Sequence, residues 1–225
     1  MSRSISFGAF SLSTANSSSL ARPYHHGDLR CALIGAALSL MTEEQDWTFS
    51  LREVARRAGV SHNAPYSHFP EKRDLLIAVA ATGFESLRDR MRTAIRRTRT
   101  ADKALLACAK AYIEFGAENP ALYRLMFSPA LAASKGGRPA EARTAGATAK
   151  VVLAEVILRG ARSGLFAVSP DDAKDQAKIV FSAWATVHGM TMLLLDEFTE
   201  TELTVDDLFK SVERIVLKGL IRRRV

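Results

Sequence analysis

From Leu29 onward, apolar side chains recur at intervals of three and four, and nowhere do they alternate convincingly over the length of a strand. The pattern predicts an all-α chain. Leu29, Leu33, Ala36 and Leu40 form one stripe of a first helix over about 29–41, with Asp28 placed to cap it. Ser50 and Glu53 have capping-box spacing, and Phe49 with Val54 can close a hydrophobic staple, so SLREVARRA is a short second helix. Gly59 follows as a residue able to take positive φ, and Ser61 can cap a third short helix almost at once. Two helices joined this tightly must cross steeply.

A long helix is predicted over about 71–97, with Leu75, Val79, Gly83, Leu87, Met91 and Ile95 on one side and Arg88, Arg90, Arg92 and Arg96 on the other. The arginine face reads as a solvated side with a long-range electrostatic contribution. ADKALLACAKAYIEFGAEN makes the next helix, stopped by Pro120, and PALYRLMF a short one after it. Residues 128–141 hold two Pro and two Gly without periodicity and read as a loop, followed by a helix to about Arg162. Ser169, Pro170 and two first-turn aspartates open a helix over about 170–195. The last helix spans about 205–221 and buries Leu208, Val212, Ile215 and Gly219. The total is about nine helices.

Charge changes this picture by locating a partner. The 225 residues carry 31 Lys plus Arg against 24 Asp plus Glu, a net charge of +7, which suits an anionic partner. Residues 1–100 hold 14 basic and 9 acidic side chains (+5), and residues 101–225 hold 17 and 15 (+2), so the first half is where that partner would be met. Cys31 and Cys108 lie in apolar helical patterns without CxxC spacing and read as buried thiols in a reducing compartment. No apolar run reaches the roughly 18–20 residues that cross a bilayer, so no membrane partner is expected. Residues 1–23 are rich in serine, form no signal-peptide core and read as a disordered tail. The five histidines have no i, i+4 pairing, and no nucleophile–base pair or carboxylate pair stands at helical spacing. Neither a metal, a cofactor nor an enzyme activity is expected.

Residues 59–72, GVSHNAPYSHFPEK, hold little that a core could use. A helix, a glycine turn and a second short helix make helix-turn-helix geometry, in which the start of the second helix meets base edges in the major groove. His62, Asn63 and Ala64 occupy that start: Asn can bond adenine bidentately, His can meet a purine, and Ala can touch a thymine methyl. Tyr66, Ser67, His68 and Lys72 follow as phosphate contacts, with Ser61 before the trio as a further DNA-binding residue, Arg52 as a backbone or base contact, and Phe69 as the apolar plug. Lys72 also sits at the N-terminus of the next helix, where backbone N–H groups favour an anion.

FSLREVARRAGVSHNAPYSHFPEKRDLL resembles the DNA-binding segment of the TetR family of transcriptional regulators at Ala55, Gly59, Val60, Ser61, Tyr66, His68, Phe69, Lys72 and Leu75. Pro65 departs from the commoner pattern of a branched apolar residue there and predicts a late or 3₁₀ start for the recognition helix. AWATVHGMTML resembles the Trp-His-Gly signature of one group of C-terminal domains in that family, at Trp184, His188 and Gly189.

The resemblance implies a cytoplasmic homodimer, paired through helices 170–195 and 205–221, that binds a palindromic DNA operator and a small-molecule effector as a repressor. It divides the chain into a helix-turn-helix domain over 24–70 and a ligand-binding and dimerisation domain over 71–225. Tyr112, Phe115, Phe127, Trp184 and His188 are candidates for the effector site, with plain core or dimer interface as the alternative. A basic all-α adaptor or membrane-surface protein is the alternative for the whole chain, and it leaves the groove-reading trio without a role.

Overall fold

Leu75, Val79, Gly83, Leu87 and Met91 are all buried on one face of α3 (Lys72–Ile95), and most of the remaining helices are laid around that rod. The computed structural model describes residues 26–131, 139–196 and 203–221. Before α3 come α1 (His26–Glu44), α2 (Leu51–Arg57) and a 3₁₀ turn (Ala64–Ser67). After it come α4 (Ala101–Glu118), α5 (Pro120–Phe127), α6 (Ala140–Arg162), α7 (Ala173–Leu195) and α8 (Val205–Val212). A π turn (Glu213–Leu217) and a last turn (Lys218–Leu220) continue α8. Among the described residues all regular structure is helical apart from one isolated antiparallel bridge, Phe166 to Ile221. The fold is all-α, as the periodicity predicts. The tail over 1–23 and residues 132–138, half of the loop over 128–141, lie outside the described residues.

The start of α1 at His26 puts Asp28 inside the helix rather than at its cap. Leu29, Leu33, Ala36 and Leu40 are buried as expected, whereas Cys31, two residues off that stripe, is exposed; only Cys108 is a buried thiol. The cap of α7 is Asp172, which accepts from the N–H groups of Lys174 and Asp175 at 2.9 and 3.0 Å, so the helix begins after Pro170 rather than at it. In the last helix, Leu208 and Val212 are buried but Ile215 is 61% exposed, and Leu217 and Leu220 take the inner positions instead. The π turn inserts one residue into the repeat and rotates every later side chain onto a new face. Helix α7 is long and apolar enough to cross a bilayer, contrary to the estimate from apolar runs, yet it lies against α4 and α6 with Ala183, Val187 and Thr191 buried.

The arginine face of α3 is largely paired rather than simply solvated. Arg90 meets Glu118 of α4 at 2.5 and 2.6 Å, Arg92 approaches Glu155 of α6 at 3.7 Å, and Arg88 bonds its neighbour Asp89. Two contacts join the α1–α3 end of the molecule to the start of α6 and to the segment before it. Arg30 Nη2 lies 2.9 Å from Glu141 in the first turn of α6, and Arg73 Nη2 donates to the Leu131 carbonyl at 3.0 Å.

At Gly160, near the end of α6, the ring of fully buried Phe166 lies where a side chain would begin, since an added Cβ would stand 2.0 Å from Cδ2. The Phe166 N–H bonds back to the Gly160 carbonyl at 3.1 Å, which holds the ring in place. Alanine is the better helix former by about 1 kcal/mol, but overpacking a close-packed site costs about 1–3 kcal/mol. Gly160→Ala is therefore expected to lower stability by about 1–2 kcal/mol, against its helix propensity, measured by urea unfolding.

Candidate functional site

The turn that follows α2 is built from backbone bonds. Ser50 and Glu53 close the capping box, with Ser50 N–H donating to Glu53 at 2.6 Å and Glu53 N–H to Ser50 Oγ at 3.2 Å. At the other end Val60 N–H bonds the Ala55 carbonyl at 3.0 Å and Gly59 N–H the Arg56 carbonyl at 3.2 Å, a Schellman closure with Gly59 at φ +69°. Only glycine takes that angle without strain. Arg57 ties α2 to α1 by forking onto both oxygens of Glu43, each at 2.5 Å, and by donating to Ser39 at 2.8 Å. Phe49 and Val54, the expected staple, are both buried.

The third helix is a single 3₁₀ turn, with Asn63 rather than Ser61 in the capping position. Pro65 causes this. It has no N–H to give to Ser61, and its place second in the turn is where that donor is not needed. Ser61, His62, Asn63, Tyr66 and Ser67 are exposed, Ala64 and His68 are half-buried, and Pro65 and Phe69 are buried beneath them. Ser67 Oγ donates to the Ala64 carbonyl at 2.8 Å, so its proton serves the turn. Arg52 is exposed on α2.

Lys72 begins α3 with Nζ 5.3 Å from the centre of the Phe49 ring. Burial lowers its pKa, and the charges of Asp46 and Glu53 oppose that shift. The end of α3 is less open to an anion than the sequence suggests, because Asp74 already accepts from the Glu71 N–H at 3.0 Å. The guanidinium of Arg30 lies 5.5 Å from the Phe69 ring, so the residue that reaches Glu141 also touches the plug under the turn.

A cavity of about 200 Å³ opens among α3, α4, α6, α7 and the last helix. Of the five expected effector residues, Tyr112, Phe127 and Trp184 line it and the other two do not. Phe115 faces a separate hollow between α1, α4 and α5. His188 stands behind the lining, its ring 5.4 Å from that of Trp184 and nearly parallel to it, and 4.2 Å from that of Phe127. Arg143 and Lys150, which the sequence did not single out, are at the cavity on α6. The available signal was their spacing, i and i+7 across a run of Ala and Gly, which puts them on one helical stripe.

Tyr123, fully buried and also missed, joins these groups. Its hydroxyl lies 2.7 Å from His188 Nδ1 and 2.9 Å from the Tyr112 hydroxyl, to which Trp184 Nε1–H donates at 3.3 Å. Burial pushes the Tyr112 phenol up to about 12 and raises that of Tyr123 as well, so both keep their protons. Burial also lowers the pKa of His188, and a neutral imidazole can accept a phenol proton at Nδ1.

This shift sets a pH dependence. The folded-state pKa of His188 lies below its unfolded value, near ~6.5, so the unfolded chain takes up the proton first. The contribution of neutral His188 is whole above that pH and is lost as the pH falls through it. The difference in melting temperature between the wild type and His188→Gln is expected to be largest near pH 8 and to shrink toward pH 5, followed by thermal unfolding across that range.

The family model described as bacterial regulatory proteins, tetR family, matches residues 33–79, and that described as tetracyclin repressor-like, C-terminal domain, matches residues 105–216. A protein with unknown function from Rhodococcus sp. RHA1 is similar in structure, with 29% identity, a TM-score of 0.73, and coverage of 89% of this chain and 100% of that one. The TetR family transcriptional regulator PfmR from Thermus thermophilus shares the fold at 18% identity and a TM-score of 0.60, over 84% of this chain and 99% of its own. The fatty acid degradation regulator FadR from Bacillus halodurans does so at 16% and 0.65, over 84% and 98%. With one family model over the capped turn and the other over the cavity-bearing helices, this chain belongs to the TetR family of DNA-binding transcriptional regulators.

Proposed function

We propose that the chain acts in the cytoplasm as a homodimeric repressor, released from a palindromic DNA operator when a small molecule enters the cavity beside Trp184. The observation that carries this reading is the 3₁₀ turn: His62, Asn63 and Tyr66 are exposed over buried Pro65 and Phe69, so a firmly seated backbone offers polar groups outward. Asn63, His62 and Ala64 are assigned to base edges, and Arg52, Ser61, Tyr66, His68 and Lys72 to phosphates. Ser67, whose proton is used within the turn, is left as an acceptor. Residues 24–70 form the DNA-binding domain in this reading, and residues 71–225 the ligand-binding and dimerisation domain.

Dimerisation is assigned to α7 and the last helix. Phe181, Leu193 and Ile215 are 63%, 51% and 61% exposed, an apolar surface that a second copy would cover. Two turns would then enter major grooves roughly 34 Å apart. Helix α6 is the coupling element, since it borders the cavity and carries Glu141, the partner of Arg30 above Phe69. A ligand that shifts α6 would change the spacing of the two turns, with a coupling free energy of about 1–3 kcal/mol.

Fluorescence anisotropy on duplexes tiling the DNA beside the coding region, over a salt series, tests the reading. Lys72→Ala is expected to weaken binding to all duplexes alike and reduce the salt slope by about 2, one phosphate contact from each protomer, whereas Asn63→Ala costs about 1–3 kcal/mol at adenine-bearing half-sites only. Uniform loss for Asn63→Ala would remove its base-reading role. Phe181→Glu is expected to yield monomers in sedimentation velocity and to abolish tight operator binding; a dimer that persists would place the interface elsewhere.

A further inference from the structure

The cavity is apolar inside and cationic only at its mouth. None of its twenty lining residues is acidic, and two, Arg143 and Lys150, are basic. Both are exposed, and with Gly146 and Ala147 they form a stripe of α6 at i, i+3, i+4 and i+7, two cations flanking a gap of small residues. Lys150 Nζ lies 5.3 Å from the Trp184 ring, which holds the ammonium at the opening. Among the described residues neither cation has an ion-pair partner, while two acidic residues of the same helix, Glu141 and Glu155, are engaged by Arg30 and Arg92. Farther in, the polar atoms of Trp184 and Tyr112 are bonded to each other, and Tyr112 also to Tyr123, so little is left to receive a ligand's polar group.

We infer that the effector is an amphipathic organic anion, an apolar body bearing one carboxylate, with the body among Phe84, Leu105 and Phe127 and the carboxylate held at the mouth by Arg143 and Lys150. The inference rests on the cavity being the effector site. The apolar walls leave a charged group no place except the rim, and the rim offers one sign of charge. The guanidinium of Arg143 can fork onto both oxygens while Lys150 supplies the second charge.

Titration calorimetry of the full chain with decanoate, decan-1-ol and decylammonium separates the possibilities. Decanoate is expected to bind most tightly and decylammonium least. The double substitution Arg143→Gln with Lys150→Gln, at exposed positions that the core does not use, should weaken decanoate about tenfold and leave decan-1-ol within about twofold. Decan-1-ol bound as tightly as decanoate, or decanoate unaffected by the double substitution, would overturn the anionic class while leaving the cavity as the effector site. Failure of all three to bind the wild type would overturn the class and the cavity reading together.

Discussion

The apolar stripe of α3 begins with Leu75, just after the turn, and ends with Met91, which lines the cavity. A close-packed helix transmits displacement rather than absorbing it, because its buried side chains have no free volume into which to relax. Helices α4, α5 and α6 pack on this rod, and so does α1 from the other end. Both candidate sites are therefore referred to a single rigid element. What remains adjustable is the set of contacts beside it.

Those contacts are of a different kind. Arg73 with the Leu131 carbonyl is a half-buried hydrogen bond, whereas Arg30 with Glu141 is an ion pair at the surface, where water competes for the same groups. Such pairs hold a geometry at little net cost, so they can be exchanged without unfolding the core. A buried stripe that stays and exposed pairs that can change are the two ingredients of a two-state element. In α6 the first turn carries Glu141, the partner of Arg30, and closes at Arg143, and Lys150 follows two turns on at the cavity mouth.

Behind the cavity, Tyr112, Tyr123, Trp184 and His188 form one hydrogen-bonded cluster within apolar surroundings. A cluster of this kind fixes the positions of aromatic rings more closely than packing does, because each polar atom left without a partner would cost its full desolvation. It gives the cavity one stiff wall. Gly116 lets α7 come close to α4 there, with an added Cβ standing 2.4 Å from Thr191.

Features decided within a few residues were legible in the sequence: the capping box at Ser50 and Glu53, the positive φ of Gly59, the late 3₁₀ start forced by Pro65, and the stripes of α1 and α3. Each depends on local sterics and hydrogen bonding, which residue type and spacing encode directly. The helix-turn-helix was readable for that reason, since its parts are contiguous in the chain. What the tertiary structure decided involves residues far apart. The π turn that exposes Ile215 leaves no periodic sign. The pairing of the arginine face needed acids from α4 and α6. Tyr123 joined Tyr112 and His188, and Arg143 with Lys150 came to the cavity mouth, only because helices separated by many residues packed against one another. Periodicity tells which face of a helix is apolar, and packing alone tells what that face meets.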